Sequence, residues 1–167
     1  YVQAGWDNYL QRHLDVFFND NGVLKLDTNQ INLVPIYPGI VQWVNVNGDD
    51  YLDLVTIGSD ENEELGLRVY LNNSNYVFSK GLTWDSNIYG VTAGSVAFAD
   101  YNSDGRDDFV LTGLNRNNQL VTYILTNSIN RYEVKTGHVL EGVFFGKPSW
   151  GDYDSDGDLD LIITGQS

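Results

Sequence analysis

The run Trp150-Gly151-Asp152-Tyr153-Asp154-Ser155-Asp156-Gly157-Asp158-Leu159-Asp160-Leu161-Ile162-Ile163-Thr164-Gly165 joins an aspartate-rich loop to a short apolar segment. Counted from Asp152, aspartates stand at loop positions 1, 3, 5 and 9, and Gly157 stands at position 6. Carboxylates that alternate around a glycine turn place several oxygens about one hard cation, and calcium takes about six to eight oxygen ligands. We therefore expect a calcium loop, in which Asp158 at position 7 lends its backbone carbonyl oxygen.

The residues after the loop distinguish it from an EF-hand. An EF-hand needs a glutamate at position 12 and a helix on either side. Here the acidic set ends at position 9, and residues 161–164 are apolar or β-branched, which is typical of a strand. The pattern therefore predicts a calcium loop inside a β-hairpin.

The same sixteen-residue pattern occurs twice more without gaps, at 98–113 and at 43–58. The closing glycines, Gly58, Gly113 and Gly165, lie 55 and 52 residues apart, and Gly5 lies 53 residues before Gly58. A fixed period of this size indicates a repeat architecture. We interpret Gly5 as the end of a fourth copy.

The three loops supply different sets of candidate metal ligands. In the third loop these are Asp152, Asp154, Asp156, Asp158 and Asp160. In the second loop they are Asp100, Asn102, Asp104, Arg106 and Asp108, with Arg106 lending only its carbonyl oxygen. In the first loop they are Asn45, Asn47, Asp49, Tyr51 and Asp53.

Leaving out position 7, the ligand carboxylates number four, three and two from the third loop to the first, so we expect calcium affinity to fall in that order. Solvated acidic turns are the alternative, but carboxylates this close repel one another without a cation. We expect Ca²⁺ at the third and second loops. At the first loop both outcomes stay open, because Asp50 replaces the glycine at position 6, although Gly48 at position 4 offers another turn.

These three in-register copies resemble the FG-GAP/VCBS repeats of integrin-α-like β-propellers, and the resemblance covers essentially the whole chain. It implies an all-β fold of four-stranded blades, each stiffened by a calcium hairpin. It also implies that the cation has a structural role, holding two strands at a fixed angle.

Each repeat divides into four strand-like runs, A to D, and no window sustains a helical period. The expected strands are 40–46, 52–57, 67–71 and 76–79 in one repeat, and 94–101, 108–112, 120–126 and 132–135 in the next. At the ends, residues 1–5 finish a strand B, 15–19 and 23–27 supply C and D, and 148–153 and 160–164 supply A and B. The predicted units are a partial blade at 1–39, blades at 40–93 and 94–146, and a partial blade at 147–167.

About three blades cannot close a ring, since propellers typically need about four to eight. We therefore expect the segment to belong to a larger or oligomeric propeller. Its open strand edges would pair with the remaining blades or with another copy of the chain. The chain begins at Tyr1 and holds no methionine, which favours a processed or excised piece of a longer protein.

Composition excludes several classes of function. The net charge of −14 and a pI near 4.1 argue against nucleic-acid partners. No apolar run approaches the roughly 20 residues of a membrane-spanning helix, so we expect no membrane insertion. His13 and His138 are far apart in the pattern and no serine or cysteine nucleophile accompanies them, so we expect no enzyme activity.

Other residues have two interpretations each. Trp43, Phe98 and Trp150 recur in register, which favours packing between blades over a ligand platform. Trp6, Trp84 and Tyr89 are unrepeated and lie in polar links, where packed anchors are commoner than ligand contacts. The acidic residues at 60, 61, 63 and 64 indicate a solvated turn, with a further cation or a basic partner as the alternative, and Asn72 begins a glycosylation sequon on an exposed hairpin.

The loops, taken with the resemblance, imply a calcium-stabilised, non-catalytic module for adhesion, assembly or ligand binding, extracellular or at the cell surface. Its connecting loops would bind a protein or a glycan. One alternative is a lectin propeller, in which loop aromatics stack on sugar rings. The other is an accessory propeller of a secreted enzyme.

Overall fold

A computed structural model describes residues 2–6, 8, 11–30, 33–73, 77–81, 83–84, 90–128, 131–135, 137 and 140–167, with the side chains of 3, 6, 83 and 84 left out. The described residues form β-strands, turns and irregular segments, with no helix among them. It follows that no described helix could cross a membrane. The expected all-β class is confirmed.

The strands group into four sheets, each a run of mainly antiparallel neighbours. The first sheet holds β1 (Val2–Trp6), β2 (Arg12–Asp20) and β3 (Val23–Leu26). The second holds β4 (Gly39–Val44), β5 (Asp53–Ser59), β6 (Leu65–Asn72) and β7 (Phe78–Lys80). The third holds β8 (Thr83–Trp84), β9 (Thr92–Ala99), β10 (Asp108–Leu114), β11 (Leu120–Ser128) and β12 (Arg131–Val134). The fourth holds β13 (Phe144–Gly151) and β14 (Asp160–Gln166).

Strands A to D of the two full repeats are therefore present, as β4–β7 and β9–β12, and their order within each sheet follows the chain. Tyr76, expected to begin a strand D, lies outside the described residues. In the first sheet β1 is a five-residue strand that pairs with β2, so strands C and D there have a strand B beside them. Both terminal sheets consequently contain a strand B.

One strand was not expected. The segment after β7 was predicted to be a polar link, but Thr83 and Trp84 pair in parallel with Arg131 and Tyr132. This short strand, β8, widens the third sheet to five strands. The link between two sheets thus contributes backbone hydrogen bonds to the outer edge of the sheet that it enters.

The sheets pack face to face through two apolar clusters. The larger lies between the second and third sheets, where Ile57 of β5 and Phe109 of β10 are both fully buried. The smaller lies between the first and second sheets and includes Val16 and Leu54. Strands β5 and β10 are buried along nearly their whole length, because each is central in its sheet and covered on both faces. This stacking of successive sheets is the expected arrangement of blades.

The closing glycines are explained by a close contact at the end of each A–B hairpin. A Cβ at Gly58 would lie 2.8 Å from the Cα of Gly39, and one at Gly113 would lie 2.9 Å from the Cα of Gly94. Gly165 meets Gly146 in the same way, at 3.0 Å. A side chain at these positions would force the two strands apart, so the repeat keeps glycine there.

Candidate metal centre

All three aspartate-rich loops join strand A to strand B of their own sheet. The first loop (residues 45–53) follows β4, the second (100–108) follows β9, and the third (152–160) follows β13. Strands β9 and β13 contact each other, as do β4 and β9, so the three hairpins belong to neighbouring sheets. Each predicted ligand set therefore lies in the A–B connection of one sheet, and among the described residues only Asp152, Asp154 and Asp156 are gathered into a cluster of carboxylates.

In the third loop, Asp152, Asp154 and Asp156 each offer one carboxylate oxygen, and these oxygens lie within 4.8 Å of one another. Backbone amides hold this arrangement. The N–H of Asp156 donates to Asp152 Oδ1 (3.1 Å) and to Asp154 Oδ1 (3.3 Å), and the N–H of Gly157 donates to Asp152 Oδ2 (3.1 Å). The N–H of Asp158 donates to Asp156 Oδ1 at 2.9 Å.

The second loop repeats these bonds position by position. The N–H of Asp104 donates to Asp100 Oδ1 (2.9 Å) and to Asn102 Oδ1 (3.0 Å). The N–H of Gly105 donates to Asp100 Oδ2 (2.8 Å), and that of Arg106 donates to Asp104 Oδ1 (3.1 Å).

The backbone turns are also shared between these two loops. Ser103 and Ser155 at position 4 have φ values of 57° and 63°, and Gly105 and Gly157 at position 6 have 84° and 96°. Two left-handed residues therefore set the same loop shape in both sequences.

Asp108, at position 9 of the second loop, is the residue that best fits a cation. Its side chain is fully buried, its Oδ1 accepts from the N–H of Asn127 at 2.7 Å, and its Oδ2 has no hydrogen-bond partner. The N–H of Tyr101, which could have served Oδ2, donates instead to the carbonyl of Ala99. Burial raises the pKa of Asp108 to about 6. A buried carboxylate oxygen without a partner is a group that a hard cation would satisfy.

The sequence analysis expected Arg106 to contribute only its carbonyl oxygen, but its side chain also forms hydrogen bonds at the loop. Its guanidinium Nη2 donates to Asp104 Oδ2 at 2.6 Å, and its Nε donates to the carbonyl of Asn127 at 3.0 Å. Both oxygens of Asp104 are then bonded to Arg106, since Oδ1 accepts from its backbone N–H. The second loop thus contains a positive charge of its own beside one of its ligands.

The first loop is built differently. Asp50, at position 6, does not adopt a left-handed conformation, and Gly48, at position 4, does, with φ 77°. The side-chain amide of Asn45 donates to the carbonyl of Asp49, and that of Asn47 donates to Asp49 Oδ2 at 2.8 Å. Tyr51 contributes its N–H to Asp49 Oδ1 at 2.7 Å. The two asparagine amides therefore occupy oxygens of Asp49 that a cation would otherwise use.

Asp53, at position 9 of the first loop, is bonded on both carboxylate oxygens. Its Oδ2 accepts from the N–H of Val46 (2.9 Å) and its Oδ1 from the N–H of Asn72 (2.8 Å). Burial raises its pKa, and these two bonds counteract the effect. In the third loop, Asp160 Oδ2 accepts the equivalent bond from the N–H of Tyr153 at 2.8 Å.

Two asparagines at the end of strand C form hydrogen bonds that support these loops. The sequence analysis did not predict this role. Asn72 and Asn127 both donate their backbone N–H to the position-9 aspartate of their own sheet. They are 55 residues apart, the same offset as the first two loops, and this shared offset was the available signal. The side-chain amide of Asn72 also donates to Leu52 O at 3.1 Å, and its Oδ1 is buried. The predicted sequon asparagine is therefore part of the loop's support rather than an exposed hairpin residue.

The three repeated aromatic residues pack between sheets, which confirms that interpretation. Trp43 joins the cluster between the first and second sheets, and Phe98 joins the one between the second and third. Trp150 stacks on Tyr101, with ring centroids 5.3 Å apart, and its Nε1 donates to Ala97 O at 3.1 Å. Each of these residues therefore links its own sheet to a neighbour.

The acidic turn at 60–64 is only partly a solvated turn. Glu61, Glu63 and Glu64 are exposed, but Asp60 is buried and pairs with Arg68 at 2.6 Å. Asp60 Oδ1 also accepts from two backbone amides of the turn, at 2.9 and 3.0 Å. It organises the turn, and this contradicts the expectation for that residue.

Other residues singled out in the sequence are described incompletely or not at all. Tyr89 and His138 lie outside the described residues, and only the backbones of Trp6 and Trp84 are described. His13 lies 3.6 Å from Asp15, with both side chains more than a third exposed.

Comparison with known proteins gives one family and one fold. Residues 45–111 match the family of FG-GAP-like repeats. No curated protein matches the sequence. Among solved structures, the chain is similar to a lectin from Agrocybe aegerita described for specific recognition of non-reducing terminal N-acetylglucosamine.

The superposition on that lectin has a TM-score of 0.60 at 20% sequence identity, and it covers 90% of this chain but 40% of the lectin chain. At this identity the likeness shows the fold alone, a propeller-like arrangement of β-sheets. Together, these comparisons show an FG-GAP-like repeat at residues 45–111 within an all-β, propeller-like fold.

Proposed function

We propose that the chain is a calcium-stabilised, non-catalytic binding module that acts in adhesion or assembly at the cell surface or outside the cell. The observation that carries the proposal is the hydrogen-bonded framework common to the second and third loops. In the third loop it gathers three carboxylates, and in the second it leaves a buried oxygen of Asp108 without a partner.

The cation would have a structural task. The third loop would hold it through Asp152, Asp154, Asp156 and Asp160, with the carbonyl of Asp158, and the second through the equivalent residues. When bound, the ion supplies positive charge to loops that belong to a chain of net charge −14. Its ligands come from both ends of the loop that joins strands A and B, so binding would fix the angle between those strands.

Thermal unfolding with and without calcium tests this role. A site at 100-fold saturation adds about 2.7 kcal/mol to the free energy of unfolding, because only the folded state binds the ion. Asp156→Ala should shrink the difference made by a chelator. Glu61→Ala is the matched control, since it removes the same charge from an exposed turn outside the loops. A chelator that leaves the wild-type melting curve unchanged would contradict the structural role.

The loops should also differ in affinity. We expect the third loop to bind calcium most tightly, the second less tightly and the first weakest. In the second loop Arg106 competes for Asp104, and in the first loop asparagine amides engage Asp49. Titration of proteins with a single intact loop, followed by terbium luminescence or calorimetry, gives the order. Tightest binding at the first loop would refute it.

Glycan binding is a second candidate, favoured by the lectin likeness together with two exposed aromatics. Tyr37 lies two residues before Gly39 of one strand A and Phe145 lies one residue before Gly146 of another, both at the edge away from the cation loops, and they are 45% and 74% exposed. Rings placed in this way can stack on sugar faces. A glycan array that includes terminal N-acetylglucosamine tests the idea, with Phe145→Ala as the variant. Binding only to proteins would favour the adhesion or assembly role.

The partner set would also include further propeller strands. On β14, Ile162 is 66% exposed, and no described strand pairs with the side of β14 away from β13. We propose that this edge pairs with more polypeptide of a propeller or with a second copy of the chain. Sedimentation of the wild type and of Ile162→Ser tests for a second copy, which the substitution should weaken.

A further inference from the structure

We propose that Asn127 couples the second cation loop to the first, so that a cation in the second loop stabilises the contact between two neighbouring sheets. This inference rests on the proposed calcium binding at the second loop. Asn127 is not a predicted metal ligand, but its hydrogen bonds would transmit the effect of cation binding to the next sheet.

A continuous series of buried hydrogen bonds joins the two loops. The N–H of Asn127 donates to Asp108 Oδ1 at 2.7 Å, and the Asn127 side-chain Nδ2 donates to the carbonyl of Val46 at 2.6 Å. The N–H of Val46 then donates to Asp53 Oδ2 at 2.9 Å. All four residues are at most 2% exposed, so water cannot replace these bonds. Position 9 of one loop is thereby linked to position 9 of the other.

The second loop also holds Asn127 from its other side. Arg106 Nε donates to the carbonyl of Asn127 at 3.0 Å, so both backbone polar groups of this residue are bonded to the loop. The Asn127 side-chain Nδ2 also donates a longer bond to the carbonyl of Asp107, at 3.4 Å. The hydroxyl of Tyr132 donates to Asp107 O at 3.1 Å. The position of Asn127 must therefore follow that of the second loop.

The direction of the effect follows from the partners of Asp108. Without a cation, Asp108 Oδ2 is buried and unpartnered, so this end of the loop is held by one bond to the carboxylate. A cation on that oxygen would fix the carboxylate, then Asn127, and then the Val46 peptide. Because coupling between sites is reciprocal, a firm contact at Val46 would also favour the cation.

Asn72 provides a matched control. It occupies the same position one repeat earlier and bonds Asp53 through its N–H, as Asn127 bonds Asp108. Its side-chain amide, however, donates to Leu52 in its own sheet rather than to a neighbouring sheet. Removing that side chain should leave the coupling intact.

Amide hydrogen exchange tests the proposal in a protein whose first loop has lost its central carboxylate by Asp49→Asn. Calcium should protect residues 101–106 and also residues 44–47 in the next sheet. The second effect should be about fivefold or more, the lower end of typical coupling between sites. Adding Asp104→Asn should abolish both effects. Adding Asn127→Ala should abolish only the protection of residues 44–47, and adding Asn72→Ala should abolish neither.

The outcomes separate this proposal from the one on which it rests. No protection of residues 101–106 would overturn both calcium binding at the second loop and the coupling. Protection there without protection of 44–47 would overturn the coupling alone. Protection of 44–47 that persists in Asn127→Ala would overturn the role of Asn127. If Asn127→Ala does not fold, the comparison with Asp104→Asn still decides whether the second loop controls residues 44–47.

Discussion

The buried carboxylate of Asp108 should give the cation-free protein a stability that falls as pH rises. Its pKa is raised from 3.8 to about 6 in the folded state, chiefly because burial penalises the charged form. Between these values the folded protein binds more protons than the unfolded chain. The stabilisation is therefore fully present below about pH 4 and is lost as the pH passes about 6.

The magnitude follows from the size of the shift. A shift of about two pKa units corresponds to about 3 kcal/mol, at roughly 1.4 kcal/mol per unit. We take this as an upper limit for the loss between about pH 4 and pH 7. Asp53 and Asp107 have pKa values raised in the same direction, so the wild-type slope contains their contributions as well.

Asp108→Asn isolates the effect, because asparagine keeps the shape and cannot ionise. Urea unfolding followed by tryptophan fluorescence in metal-depleted buffers should show a shallower pH dependence for the variant than for the wild type. In saturating calcium the wild type should lose this dependence, because the ion would keep the carboxylate charged. Equal pH slopes for the two metal-free proteins would refute the assignment to Asp108.

Further substitutions at Gly94, Asp60 and Tyr132, with controls, probe the hairpins and the core. Gly94→Ala should lower the free energy of unfolding by at least about 2 kcal/mol, because the new Cβ would lie 1.8 Å from a backbone carbonyl oxygen. Gly151→Ala is the control and should lower it by under about 0.5 kcal/mol, because a Cβ there meets nothing within 4 Å. Asp60→Ala should lower the free energy of unfolding by about 3 kcal/mol, because it leaves the partly buried Arg68 without this ion-pair partner. Denaturant unfolding measures the loss, and Asp60→Asn should recover only part of it. Tyr132→Phe should cost about 1 kcal/mol, since one buried hydroxyl bond is lost.

The features that recur at a fixed spacing were predictable from the sequence. Strands A to D, the A–B loops and the packing of Trp43, Phe98 and Trp150 all follow from one repeated pattern, because each blade uses the same positions for the same contacts. Repetition removes the ambiguity that a single apolar run would carry.

The features that the sequence did not reveal depend on side-chain reach and on contacts between sheets. The ion pair of Asp60 with Arg68 joins the two strands of a hairpin, and it becomes visible only once the register of β5 on β6 is known. Strand β8 is two residues long and pairs with a distant segment, so it leaves no periodic trace. The contact of the Arg106 guanidinium with Asp104 adds a competing charge beside a predicted ligand, which residue type alone does not reveal.

The close glycine contacts also bear on where this architecture can accept changes of length. Each A–B hairpin spans sixteen residues from its aromatic residue to its closing glycine, whereas the spacing between closing glycines is 55 in one case and 52 in the other. The cation loop constrains one end of the hairpin, and the glycine pair constrains the other. A residue inserted between them would shift one of those ends out of register. New segments, whether acquired in evolution or grafted by design, are therefore best accommodated in the outer turns and in the links between sheets.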